Sequence, residues 1–121
     1  MSRRRRELRL EAEERWPTLF EGISWVWNED QSVFYENEDS AIKSLATEHP
    51  LQWRQQFIKE WRECDFEWGH QSNFHVLLQD GLNMNRVLKD NVEGRQLWSK
   101  AYDTVIDSVR AEFKTSGEKR Q

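Results

Sequence analysis

Apolar residues recur three and four positions apart along nearly the whole chain, which is the spacing of amphipathic helices. The clearest case follows Pro50. Trp53, Phe57, Trp61 and Cys64 fall on one helical face, with Arg54, Lys59, Glu60 and Glu63 elsewhere around it. Pro17 suits the first turn of a helix over 17–28, whose stripe is Leu19/Phe20, Ile23 and Trp27. Asp39 or Ser40 can cap a short helix over 40–48 that turns Ala41, Ile42 and Leu45 inward. His49-Pro50 ends it, because the residue before a proline avoids the α region. Gly69 separates the Trp53 helix from a shorter one over 71–80, carried by Phe74, Leu77 and Leu78 and closed by Gly81. Leu82 to Val92 reads as a loop. A last helix over 93–114 presents Trp98, Ala101/Tyr102, Val105, Val109 and Phe113.

Two stretches lack this clarity. Residues 3–15 are arginine, glutamate and leucine around Ala12, good helix formers with little apolar face. Residues 29–38 have no helical period, and Gln31 to Tyr35 can be extended or a loop. No strand alternation is sustained over four residues. The pattern predicts an all-α fold, a compact bundle of five or six helices in a single domain. Residues 1–15 are expected as a basic helical arm, 16–114 as the helical domain and 115–121 as a flexible tail.

Composition changes this picture in two ways. With 33% charged residues and a mean hydropathy of −0.99, the chain leans toward disorder. Seven Trp and six Phe argue the other way, because each buried aromatic removes about 150–250 Å² from water. One domain of 121 residues can bury about two-thirds of the surface its unfolded chain exposes. The single cysteine, Cys64, rules out an internal disulfide framework. No apolar run reaches the ~18 residues of a membrane helix, and the basic start lacks the apolar core of a signal peptide. A cytoplasmic protein is the expectation.

The net charge of −4 conceals a division. Both ends are basic, while residues 21–39 carry six acids and no base. The stretch from Trp25 to Ile42 also holds Trp25, Trp27, Phe34 and Tyr35. A negative field so concentrated repels nucleic acid and attracts basic proteins.

Candidate chemistry is thin. His70 and His75 are five apart, whereas paired zinc histidines on one helix stand four apart. Glu29, Asp30, Glu36 and Asp39 can be drawn as metal ligands, although Asp30 onward departs from the calcium-loop spacing. Cys64 shares the face of Trp53, Phe57 and Trp61, which favours an inert buried thiol over a nucleophile. The glycines are isolated, so no phosphate loop is present. Arg3 to Arg6 are followed by Glu7, Glu11, Glu13 and Glu14 with no aromatic platform, and read as a solvated arm rather than a nucleic-acid site.

An aromatic-rich helix leads into Asn28-Glu29-Asp30 and, after a short interval, Glu38-Asp39-Ser40-Ala41-Ile42. Gly81, then Gly94 and Trp98, open a last amphipathic helix. In these features the chain resembles the small helical immunity proteins of bacterial contact-dependent growth inhibition (the CdiI type), over residues 16–113. The resemblance implies a non-enzymatic inhibitor without cofactor or metal. Its implied partner is a cognate toxin domain, basic and of the nuclease class, bound as a 1:1 heterodimer, with the free chain a monomer.

The expected function is thus that of an immunity protein, an antitoxin acting by protein–protein interaction through an acidic surface, with no direct nucleic-acid or membrane binding. The expected contacts are Glu29, Asp30, Tyr35, Glu36, Glu38 and Asp39, with Glu63, Asp65, Glu67 and Trp68 as a second cluster. Two alternatives stay open: a helical enzyme with a carboxylate-bound metal, and an acidic nucleic-acid mimic that binds a DNA-binding protein.

Overall fold

The computed structural model describes residues 3–119, and of 116–119 the backbone alone. Among the described residues there are seven α-helices, one π-helical segment and no strand. They are α1 (Arg3–Arg15), α2 (Pro17–Val26), α3 (Gln31–Phe34), α4 (Glu38–Thr47), α5 (Leu51–Trp68), α6 (Phe74–Val76), the π segment (Leu77–Gly81) and α7 (Asn91–Lys119). The all-α class is as expected. The count is higher than five or six because α3 is a single turn, too short to show a period; the helix expected over 71–80 is α6 running into the π segment, Phe74 to Gly81. α7 runs through 115–119, part of the stretch expected as a tail; Met1, Ser2, Arg120 and Gln121 lie outside the described residues.

The core forms where α2 packs against α4 and α5, and where α4 and α5 both pack against α7. Trp16, Trp27, Phe57, Phe74 and Trp98 are its largest fully buried side chains. Trp61 stacks on Trp98 at 4.8 Å and on Tyr102 at 4.1 Å between ring centroids, and its indole N–H donates to the Trp98 carbonyl. A run of rings, His49 on Trp53 at 3.6 Å and Trp53 near Phe57 at 5.5 Å, continues along α5. α2 approaches this run at Gly22, where a Cβ would come within 2.8 Å of Phe57 and 2.9 Å of Trp53. Only a residue without a side chain permits that approach.

α5 buries more than its aromatic stripe. Glu60 is 3% exposed and Arg54 8% exposed, although the helical period sets both apart from that stripe. Each joins distant elements. The Glu60 carboxylate accepts the backbone N–H groups of Thr18 at 2.8 Å and Leu19 at 3.1 Å, and the Gln56 amide at 2.7 Å. It caps α2 from another helix, because Trp16 at the cap position has no side-chain oxygen to offer. Arg54 donates to the His49 carbonyl at 3.1 Å, to Ser108 Oγ at 3.1 Å and to Glu112.

The arginine-rich α1 lies on the π segment. Ala12 is its one fully buried residue, and ionic ties supply much of the rest. Arg5 pairs with Asp80 at 2.9 Å, Arg9 donates to the Asp80 carbonyl, and Arg15 pairs with Glu67 and Glu11. Leu8 packs against the core beside Gly81.

Candidate functional site

Between α2 and α4 the chain turns twice, and this corner carries the acidic, aromatic stretch. α2 ends at Val26, where no glycine or proline stands. The Asn28 and Gln31 side chains instead bond back to the Trp25 and Val26 carbonyls. α3 follows as one turn. Asn37 then adopts extended backbone and caps α4 by accepting the Ser40 N–H at 2.8 Å, which places Glu38 and Asp39 in the favourable first turn.

The corner holds a shallow groove lined by Glu21, Trp25, Glu29, Asp30, Phe34 and Tyr35. Trp25 is 45% exposed, Phe34 70% and neighbouring Val33 75%. Single exposed apolar residues are ordinary, but here Trp25 and Phe34 share one groove. Two rings are held in place. The Trp25 indole N–H is shared between Tyr35 Oη at 3.0 Å and Ser44 Oγ at 3.3 Å. The Tyr35 hydroxyl donates to Glu48 at 2.8 Å. Among the described residues, Glu21, Glu29, Asp30 and Glu36 make no ion pair.

The other expected contacts fare differently. Glu38 is not free: it accepts the Trp27 indole N–H at 2.8 Å and pairs with Arg86 at 2.6 Å. Arg86 also pairs with Glu93, which in turn accepts the Lys89 N–H at 3.1 Å. This knot joins the end of α2, the start of α4, the loop and the start of α7. Asp39 pairs with Lys100 on α7. The expectation that acids 29–39 lack a basic partner therefore fails at these two positions, because sequence distance hides cations 48 and 61 residues away.

The second cluster is also dispersed into the fold. Asp65 accepts the Trp98 indole N–H at 3.0 Å. Glu67 pairs with Arg15, whose guanidinium holds its carboxyl below the ordinary range. Trp68 is half-buried against the core, in a cleft beside α1. Glu63 remains on the surface near Phe66, which is 86% exposed.

Trp25, Phe34, Glu21 and Glu48 complete the corner but were outside the expected contact set. Trp25 sits in an amphipathic helix, but its position off the Leu19–Ile23–Trp27 stripe is the signal that it faces out. Glu21 carries a weaker signal, one turn before Trp25 on α2.

Among the described residues no three His, Cys, Asp or Glu side chains gather as metal ligands; of the metal alternative's carboxylates Glu29 and Asp30 share the groove, while Asp39 is bound to Lys100. Burial pushes the Cys64 thiol well above its usual range and leaves it unreactive. His75 is engaged by Asn91. Among the described residues, no helix is long and apolar enough to cross a membrane. What the corner can do is hold a complementary surface: fixed rings supply contact area, and unpaired carboxylates supply charge. No family model matches the chain, and neither curated proteins nor solved structures provide a match.

Proposed function

We propose that the chain is a binding protein whose acidic, ring-lined corner engages a basic partner, and that it acts in the cytoplasm as an immunity protein neutralising the toxin domain of a contact-dependent growth inhibition system. The observation that carries this is the groove itself. Glu21, Glu29 and Asp30 stand unpaired around exposed Trp25 and Phe34, while Glu38, Asp39, Asp65 and Glu67 of the expected set are tied to the fold. The resemblance in the Asn28–Asp30 and Glu38–Ile42 stretches adds the kind of partner. A nuclease toxin has a basic cleft for its substrate, and an acidic surface seated in that cleft blocks it. Opposed fields also speed encounter, toward about 10⁸–10⁹ M⁻¹s⁻¹ at low salt, which suits an inhibitor that must outrun damage.

The test is coexpression with the C-terminal domain of the secreted protein encoded beside the chain. Cells should grow with the native chain and die with a Glu21→Lys, Glu29→Lys, Asp30→Lys variant whose helical circular dichroism is unchanged. Glu38 is left alone because its loss disturbs the fold. Full protection by the reversed variant, or an adjoining gene that encodes no such protein, removes this reading.

A further inference from the structure

Three rings of the fold carry one of the chain's own guanidinium groups. Arg15 lies 4.3 Å over the Trp16 centroid while its N–H groups pair with Glu67 and Glu11. Arg62 lies 5.7 Å over Tyr102 and donates to its hydroxyl. Arg95 lies 5.8 Å over Phe74 and donates to the Gly69 and Gln71 carbonyls. Ring, oxygen acceptor and arginine thus recur together, and at Arg15 the acceptors are carboxylates.

The Trp25 corner has the first two parts. Glu21, Glu29 and Asp30 line the same groove as Trp25, Phe34 and Tyr35. Among the described residues no arginine or lysine lies over these rings or pairs with these acids. The Trp25 indole N–H is already spent on Tyr35 and Ser44, so the ring's edge is fixed and its exposed area is left for contact. Such a surface costs little further ordering when something binds.

We propose that this groove receives an arginine side chain of the partner, the guanidinium stacked on Trp25 and its N–H groups donated to the carboxylates of Glu21, Glu29 or Asp30. This rests on the corner being the binding surface and names what it reads. Arginine fits better than lysine for two reasons. Its planar, weakly hydrated group stacks on an indole, and its fork of donors serves a carboxylate at the same time. An ammonium ion is a compact, strongly hydrated charge that serves the acids and gains less from the ring.

The experiment titrates the full chain with a blocked Gly-Arg-Gly-Arg-Gly peptide, its lysine counterpart and its neutral citrulline counterpart, following the indole N–H signals by nuclear magnetic resonance. Trp25→Leu identifies the Trp25 signal. The arginine peptide should shift that signal saturably, at roughly three- to tenfold lower concentration than the lysine peptide. The citrulline peptide should not shift it. Trp25→Leu, followed by the other corner signals, should bring the two cationic peptides level, and Phe34→Ala, at a more exposed position, should narrow the gap if Trp25→Leu disturbs folding. Equal half-saturation by arginine and lysine in the native chain overturns the proposal, as does a preference that survives both ring substitutions or the lack of any saturable shift. Equal binding that disappears in Glu21→Gln/Glu29→Gln/Asp30→Asn overturns the arginine assignment but leaves the acidic corner standing. Binding indifferent to those three substitutions removes both.

Discussion

Glu60 offers the sharpest test of how the fold is held. Its carboxylate is buried on α5 and receives two backbone N–H groups at the start of α2, Thr18 at 2.8 Å and Leu19 at 3.1 Å. A hydrogen bond to a charged group contributes about 1.5–3 kcal/mol, and a buried donor left without a partner costs about 1–3 kcal/mol. In Glu60→Ala the Leu19 N–H loses its acceptor in the core, whereas water can reach the half-buried Thr18. Gln56 also loses a partner. The expected loss is about 3 kcal/mol, since loss of a helix cap alone costs about 0.5–2 kcal/mol and a cavity and the orphaned donor add to it. Glu60→Gln keeps one acceptor oxygen but removes the negative charge from the positive end of α2, so about 1–1.5 kcal/mol is expected. For a domain of this length, 3 kcal/mol lowers Tm by about 9–15 °C.

The assay is urea unfolding followed by helical circular dichroism, with Glu63→Ala as the control. Glu63 is exposed on the same helix, and its loss should fall within about 0.5 kcal/mol. Amide exchange at Thr18 and Leu19 should quicken in Glu60→Ala. A loss under about 1 kcal/mol at unchanged m would falsify the cross-helix cap, because no buried donor could then have been stranded.

Other outcomes can be checked alongside. Gly22→Ala should cost about 1–3 kcal/mol in the same unfolding assay, since the new methyl meets Phe57 and Trp53 inside contact distance. Stability should decline in mild acid through His49. Burial lowers its pKa below the ordinary 6.5, against the opposing pull of Glu21 and Glu48, so the unfolded chain takes up the proton first. Stability is then full above the unfolded value and falls as pH drops through it, and His49→Phe should flatten unfolding curves compared between about pH 7 and 5.5. Glu38→Gln should loosen the knot around Arg86 and shift the Trp27 indole resonance, whereas Glu29→Gln should leave both stability and that resonance unchanged. Thermal melts with Mg²⁺, Mn²⁺ or Ca²⁺ should superimpose on the metal-free melt; a rise with any of them reopens the carboxylate-metal alternative.

Periodicity alone makes the long helices legible. α2, α4, α5 and α7 bury Leu19, Ile23, Ala41, Ile42, Leu45, Phe57, Trp61, Trp98, Val105 and Val109 as their spacing requires. What stays hidden is of two kinds. α3 is shorter than the repeat that would reveal it. Glu60, Arg54, Glu38 and Asp65 are acids and bases that a face-by-face reading assigns to solvent, yet each meets a partner 33 or more residues away. Burial of such groups is set by the packing of three helices at once, for which one helix's pattern carries no sign. A local hint does exist at Trp16: a cap position without a side-chain oxygen requires an acceptor from elsewhere. The same blindness shaped the site. An acid cluster looks uniform in sequence, and only tertiary pairing separates Glu21, Glu29 and Asp30, which are available, from Glu38 and Asp39, which are not.

The knot at Arg86 has a consequence for synthesis. Glu38 and Asp39 leave the ribosome 48 and 61 residues ahead of the cations that neutralise them. At about 5–20 residues per second that is a delay of roughly 2–12 s. During it α4 has neither Arg86 nor Lys100, and α7, against which α4 packs, does not yet exist. The groove itself draws only on residues 21–35, with Glu48 as the farthest support, so its parts are all present early. The nascent chain therefore carries every residue of the groove before it carries the cations that tie Glu38 and Asp39, at its edge, to the rest of the fold.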